Sequence, residues 1–76
     1  MDTRTVLTEL ISDETGLAST EIQHDERFEN FNMDSLSVVS LAFELEKRTG
    51  LQSIEPAVFI EYNTVNKLAQ WVDSQQ

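Results

Sequence analysis

A chain of 76 residues makes one domain, 1–76, with a core small enough for stability to be marginal. It has no cysteine, which removes disulfides and thiolate metal sites, and its 14 acids against 5 bases give a net charge of −9, a poor surface for nucleic acid. No apolar run approaches the roughly 20 residues of a membrane span, Met1 to Glu9 is too polar for a signal peptide, and 39% hydrophobic content argues against disorder.

Glycine and proline occur only at Gly16, Gly50 and Pro56, and no stretch alternates β-branched with polar residues over a strand's length. Helix is therefore the default, and the fold class is all-α. The first helix is predicted over Thr3–Thr15, with Asp2 or Thr3 as its cap and Gly16 as a left-handed terminator. Val6, Leu7, Leu10 and Ile11 fall on one face of it. From Leu17 to Met33 no period holds. Leu17, Ile22, Phe28 and Phe31 are nevertheless too apolar for a free linker, so this is a long loop pinned to the core.

The second helix begins at Asp34-Ser35, with Asp34 as its cap, and ends before Gly50. A short third helix fits Pro56 to Glu61, with proline at its first position. Thr64 caps a fourth, carrying Val65, Leu68, Ala69 and Val72 at i, i+3, i+4 and i+7. The sum is a small bundle of three main helices and one short one, with a long loop between helices 1 and 2.

The chain offers little equipment for chemistry of its own. His24 is the single histidine, and no nucleophile elbow surrounds Ser35. Asn30, Asn32 and Asp34 alternate like the start of a calcium loop, but that loop's glycine and glutamate positions hold Ser35 and Leu41. Glycine-rich phosphate loops are absent. No residue is read as catalytic and none as a metal ligand, so the chain is not expected to be an enzyme.

The informative stretch is Phe28-Glu-Asn-Phe31-Asn-Met-Asp34-Ser35-Leu36, which sets a hydroxyl at the head of a helix after a long loop. By spacing alone Ser35 is an ordinary first-turn serine. Its flanks add more: Leu41-Ala-Phe-Glu-Leu45-Glu before Gly50, then Phe59-Ile-Glu-Tyr62-Asn-Thr64 and Leu68-Ala69. On these residues the chain resembles the acyl carrier protein family from Val6 to Val72, and its later motifs resemble those of polyketide-synthase carriers. The resemblance implies that Ser35 receives 4′-phosphopantetheine from coenzyme A through a phosphopantetheinyl transferase. The thiol of that arm would hold acyl cargo for partners such as a ketosynthase or an acyltransferase. It implies that Asp34 orients and is recognised beside the serine and that Leu36 makes apolar contact with partners. The carrier is expected to be a cytoplasmic monomer, which a cysteine-free chain suits.

Some residues depart from the family pattern. Asn32 stands where many relatives have glycine, and asparagine tolerates the same left-handed turn. Asn63 replaces the proline before Thr64. Ser37 and Ser40 replace the acids that fatty-acid carriers place early in the second helix, and the acids gather instead in the loop at Glu21, Asp25, Glu26 and Glu29. Glu26 and Glu29 are then candidate partner contacts that steer basic surfaces, unless the charge serves solubility alone.

At 100° per residue, Val38, Leu41, Ala42 and Leu45 form one stripe of the second helix and Leu36, Val39 and Phe43 another, nearly opposite. The first is assigned to the core and the second to partner docking, unless the long loop folds back over it. Three other functions stay open: a peptidyl carrier of a nonribosomal synthetase, a fatty-acid carrier, and an acidic helical interaction module that is never modified.

Overall fold

Helix α1 of the computed structural model, which describes residues 2–76, runs over Thr3–Thr15. Asp2 is its cap, accepting from the backbone N–H of Arg4 at 3.2 Å and from the Thr5 hydroxyl at 2.8 Å. The helix stops at Gly16, whose φ of +79° is open to glycine and disfavoured by a β-carbon. Helix α2 spans Ser35–Thr49 and stops in the same way at Gly50, φ +76°. Helix α3 is Ala57–Glu61 and helix α4 is Val65–Gln75, capped by the Thr64 hydroxyl on the Lys67 N–H at 3.1 Å. Among the described residues there is no strand, only an isolated antiparallel bridge between Arg27 and Thr64.

One boundary and one segment differ from those expected. The short third helix begins at Ala57 and not at Pro56. Proline has helical dihedrals (φ −56°, ψ −28°) but belongs to the entering turn, where its carbonyl accepts from Phe59 N–H at 3.0 Å. The segment between α1 and α2 is also more regular than a plain loop, containing 3₁₀ turns at Ser19–Glu21 and Phe28–Phe31. Such turns are too short to announce themselves by period.

The helices exist because each buries one stripe. Leu7 and Ile11 of α1, Leu41 and Leu45 of α2, and Val65, Leu68 and Val72 of α4 are fully buried in one cluster. Each buried aliphatic side chain of this kind contributes about 1.5–3 kcal/mol. Helix α1 packs against both α2 and α4. Polar ties lie around that packing: Thr3 Oγ1 donates to Asp73 at 2.6 Å, Arg4 Nε to Asn66 at 2.7 Å, and Ser40 Oγ to Glu14 at 2.5 Å.

The loop is pinned by the expected side chains. Ile22, Phe28 and Phe31 are buried, while Leu17 is only half-buried. Phe28 meets Phe59 of α3 with ring centroids 6.1 Å apart. Backbone bonds stitch the loop to the α3–α4 junction: Phe28 N–H donates to Asn63 at 2.9 Å, and Asn66 N–H to the His24 carbonyl at 2.9 Å. His24 is exposed as its polar setting implied, with Nε2 3.2 Å from the Thr8 hydroxyl. Fastened there, the loop leaves Leu36, Val39 and Phe43 of α2 exposed.

Candidate functional site at the head of the second helix

The turn before Ser35 is built by Asn32, whose φ of +58° and ψ of +33° place it in the left-handed region. Asparagine is among the few residues besides glycine that accept this at modest cost, so the expected turn forms without glycine. The chain then reaches Asp34 in an extended conformation and enters α2 at Ser35.

Asp34 Oδ1 accepts from the Ser37 N–H at 2.8 Å, and the Asp34 carbonyl accepts from Val38 N–H at 3.0 Å. The Ser37 N–H, seconded by the Ser37 hydroxyl, holds the Asp34 carboxyl below its ordinary value of 3.8. A fixed, ionised carboxylate therefore stands beside Ser35. Ser35 is exposed on the first turn, where N–H groups lack intrahelical acceptors and the helix dipole is positive. The position suits a covalently attached phosphodiester: the hydroxyl is accessible, and the first turn favours the group's negative charge.

Downstream of Ser35 the two stripes of α2 separate as expected. Leu41, Ala42 and Leu45 are buried, and Val38 is half-buried at the edge of the core. Leu36 is 77% exposed, Val39 51% and Phe43 60%, so the loop does not cover them. Lys47 sits one turn beyond Phe43 with its ammonium 5.1 Å from the ring centroid. It also pairs with Glu44 at 3.6 Å.

The loop acids are placed differently. Glu29 is exposed and paired with Arg27 at 3.2 Å, and Glu26 is half-buried and accepts from the Asn30 amide. Both acids are thus engaged within the loop, and neither sits on α2 beside Leu36, Val39 and Phe43.

Two features of this side are not foreseen by periodicity. Ile60 of α3 is 79% exposed, a fourth large apolar side chain in solvent. Beside it lies a cleft of about 210 Å³ lined by Arg27, Phe28, Glu29, Met33, Val38, Phe59, Ile60 and Asn63. It begins one turn along α2 from Ser35. Helix α3 is too short for a period to separate buried Phe59 from exposed Ile60, and the cleft draws on segments far apart in sequence.

Ser35 thus stands exposed at a capped helix head and is followed by an exposed apolar stripe. The profile of the family described as "Phosphopantetheine attachment site" matches residues 5–72. The chain belongs to this family. It is a phosphopantetheine-attachment carrier domain, and the group that the family carries is covalently bound 4′-phosphopantetheine.

The carrier is 29% identical over 69 residues to the polyketide synthase PksL of Bacillus subtilis, a match over 91% of this chain and 2% of that protein. It is 37% identical over 65 residues to the non-reducing polyketide synthase adaA of Aspergillus niger, over 86% of this chain and 4% of that protein. The carrier thus spans only a small fraction of the length of either relative.

Among solved structures, it is similar to a free-standing peptidyl carrier protein from an uncharacterized Acinetobacter baumannii secondary metabolic pathway. The TM-score is 0.90 at 27% identity, covering 96% of this chain and 90% of that one. The HMG-ACPI domain from the CurA module of Lyngbya majuscula shares the fold. Its TM-score is 0.83 at 22% identity, covering 96% of this chain and 77% of that one. The all-α carrier bundle anticipated from the sequence is the fold observed.

Proposed function

We propose that this carrier holds acyl intermediates as thioesters on a 4′-phosphopantetheine arm attached to Ser35 and delivers them to partner enzymes of polyketide assembly. The observation that carries the reading is the exposed Ser35 hydroxyl at the head of α2, within the segment matched by the attachment-site family. The arm supplies the thiol, so the chain needs no cysteine. Asp34 holds the first turn in shape and presents its charge beside the hydroxyl. Leu36, Val39 and Phe43 form the apolar contact surface for the phosphopantetheinyl transferase and for acyl-handling domains such as a ketosynthase or an acyltransferase. Glu26 and Glu29 add charge at the edge of that approach. The chain acts as a single domain of the cytoplasm and leaves catalysis to its partners: for attachment of the arm, the transferase brings the base and the metal. The names of its relatives support a polyketide setting.

The test is intact mass after incubation with coenzyme A and a broad-specificity phosphopantetheinyl transferase. The mass gain of one arm is expected in the unmodified chain, in Ser37→Ala and in Ser40→Ala, and is lost in Ser35→Ala. Gain retained by Ser35→Ala moves the attachment elsewhere. No gain in any form leaves the unmodified interaction module. A second reading, the peptidyl carrier, is supported by the structural likeness to the Acinetobacter baumannii protein. Offering the holo form to acyl-loading and aminoacyl-loading domains separates the two.

A further inference from the structure

The connection from α2 to α3 is held by side chains. Among the described residues, no backbone–backbone hydrogen bond begins or ends within residues 51–54. Leu51 N–H donates to Thr49 Oγ1 at 3.2 Å. The other tie comes from a side chain eight residues back: Glu46 Oε2 accepts the Ile54 N–H at 2.7 Å. The residue just before Ile54 is Ser53, at φ +61°. A β-carbon disfavours that left-handed backbone, and serine lacks the carboxamide by which asparagine tolerates it. A half-buried carboxylate on α2 therefore holds a strained residue in place by a charge-assisted bond.

Helix α3, which this connection leads into, is five residues long and too short to be stable by itself. Its anchors are buried Ile54 at the entrance and buried Phe59 in the middle. Its exposed Ile60 shares the cleft with Met33 and Val38, on the side of the molecule that Ser35 heads.

We infer that Glu46 is a positioning residue, a latch that sets where α3 stands against α2. With the latch made, Ile60 is held in a defined place in the cleft with Met33 and Val38. With it released, the strain at Ser53 relaxes, α3 shifts and the cleft changes width. This rests on the proposed reading of that side as the docking face. The latch opposes the strain, which places the segment at the low-stability end of the molecule, where shape changes are easiest.

The experiment is amide hydrogen exchange on the 76-residue chain, with coenzyme A-dependent mass gain measured on the same samples. Glu46→Ala is expected to raise exchange through residues 57–61 by about tenfold or more, with α1 and α4 within about twofold of the unmutated chain. Glu46→Gln, whose carbonyl still accepts the Ile54 N–H, restores most of the protection. If the alanine variant does not fold, Glu46→Asp keeps the charge and shortens the reach, and is expected to show the same localised rise. A rise spread evenly over all helices makes Glu46 a general stabiliser, and a rise at Ile54 alone leaves α3 independent of it. Either result overturns the latch. Absence of mass gain in the unmutated chain would end the carrier reading, while the exchange pattern still decides the latch.

Discussion

Asp2 and Asp34 each spend a carboxylate on the head of a helix. The Thr5 hydroxyl, seconded by the Arg4 N–H, holds the Asp2 carboxyl below 3.8, and the Ser37 N–H does the same for Asp34. A depressed carboxyl binds its proton more weakly folded than unfolded. Its contribution to stability is therefore complete above the ordinary value of 3.8 and is lost as pH falls through the lower folded values. The melting temperature is expected to decline below about pH 4, and the decline to be shallower in an Asp2→Asn, Asp34→Asn double variant. Equal acid slopes in the two proteins would place the acid sensitivity on other carboxyls. The same residue-scale geometry fixes where the negative charge of Asp34 stands beside Ser35.

Helix α2 is the element on which stability and docking can be told apart. Leu45 is fully buried and Phe43, two residues earlier, is mostly in solvent. Leu45→Ala removes core volume and is expected to cost about 2–5 kcal/mol in a melt or denaturant titration. Phe43→Ala leaves no cavity and is expected to cost well under about 2 kcal/mol, since it loses only surface contact and the Lys47 ammonium over its ring. Its loss belongs to binding: acyl transfer from the holo carrier to a partner domain is expected to weaken, as at an interface anchor. Equal destabilisation by the two substitutions would put Phe43 in the core and remove the proposed docking stripe.

At the scale of the whole molecule the governing property is the charge of −9 on a chain of 76 residues. Exposed charges reach about 8 Å through physiological salt, so a basic partner is attracted before contact. The kcat/KM for loading Ser35 by a phosphopantetheinyl transferase is expected to fall as ionic strength rises. Reversing Glu26 and Glu29 to lysine lowers the low-salt value and flattens the salt dependence. A rate indifferent to salt assigns the charge to solubility. Because Glu29 is paired with Arg27 and Glu26 with Asn30, control melts of the reversed chain separate steering from damage to the loop.

Helix starts and stops were legible in the sequence because they depend on neighbours a few residues apart. Asp2 with Thr5, Asp34 with Ser37, Thr64 with Lys67, and the left-handed Gly16, Gly50 and Asn32 are all local geometry. The exposed stripe of α2 was legible too, since one face of a helix reaches the core and a second, nearly opposite, cannot. Tertiary structure decided what depends on contacts distant in sequence. The 3₁₀ turn at Phe28–Phe31 is held where Phe28 meets Phe59, and α3 is too short for period to distinguish buried Phe59 from exposed Ile60. Glu46 reads as one more acid on a polar face until the chain turns back and brings the Ile54 N–H to it. Periodicity reports which face of a long helix is buried, and only packing reports where a short or irregular segment comes to rest.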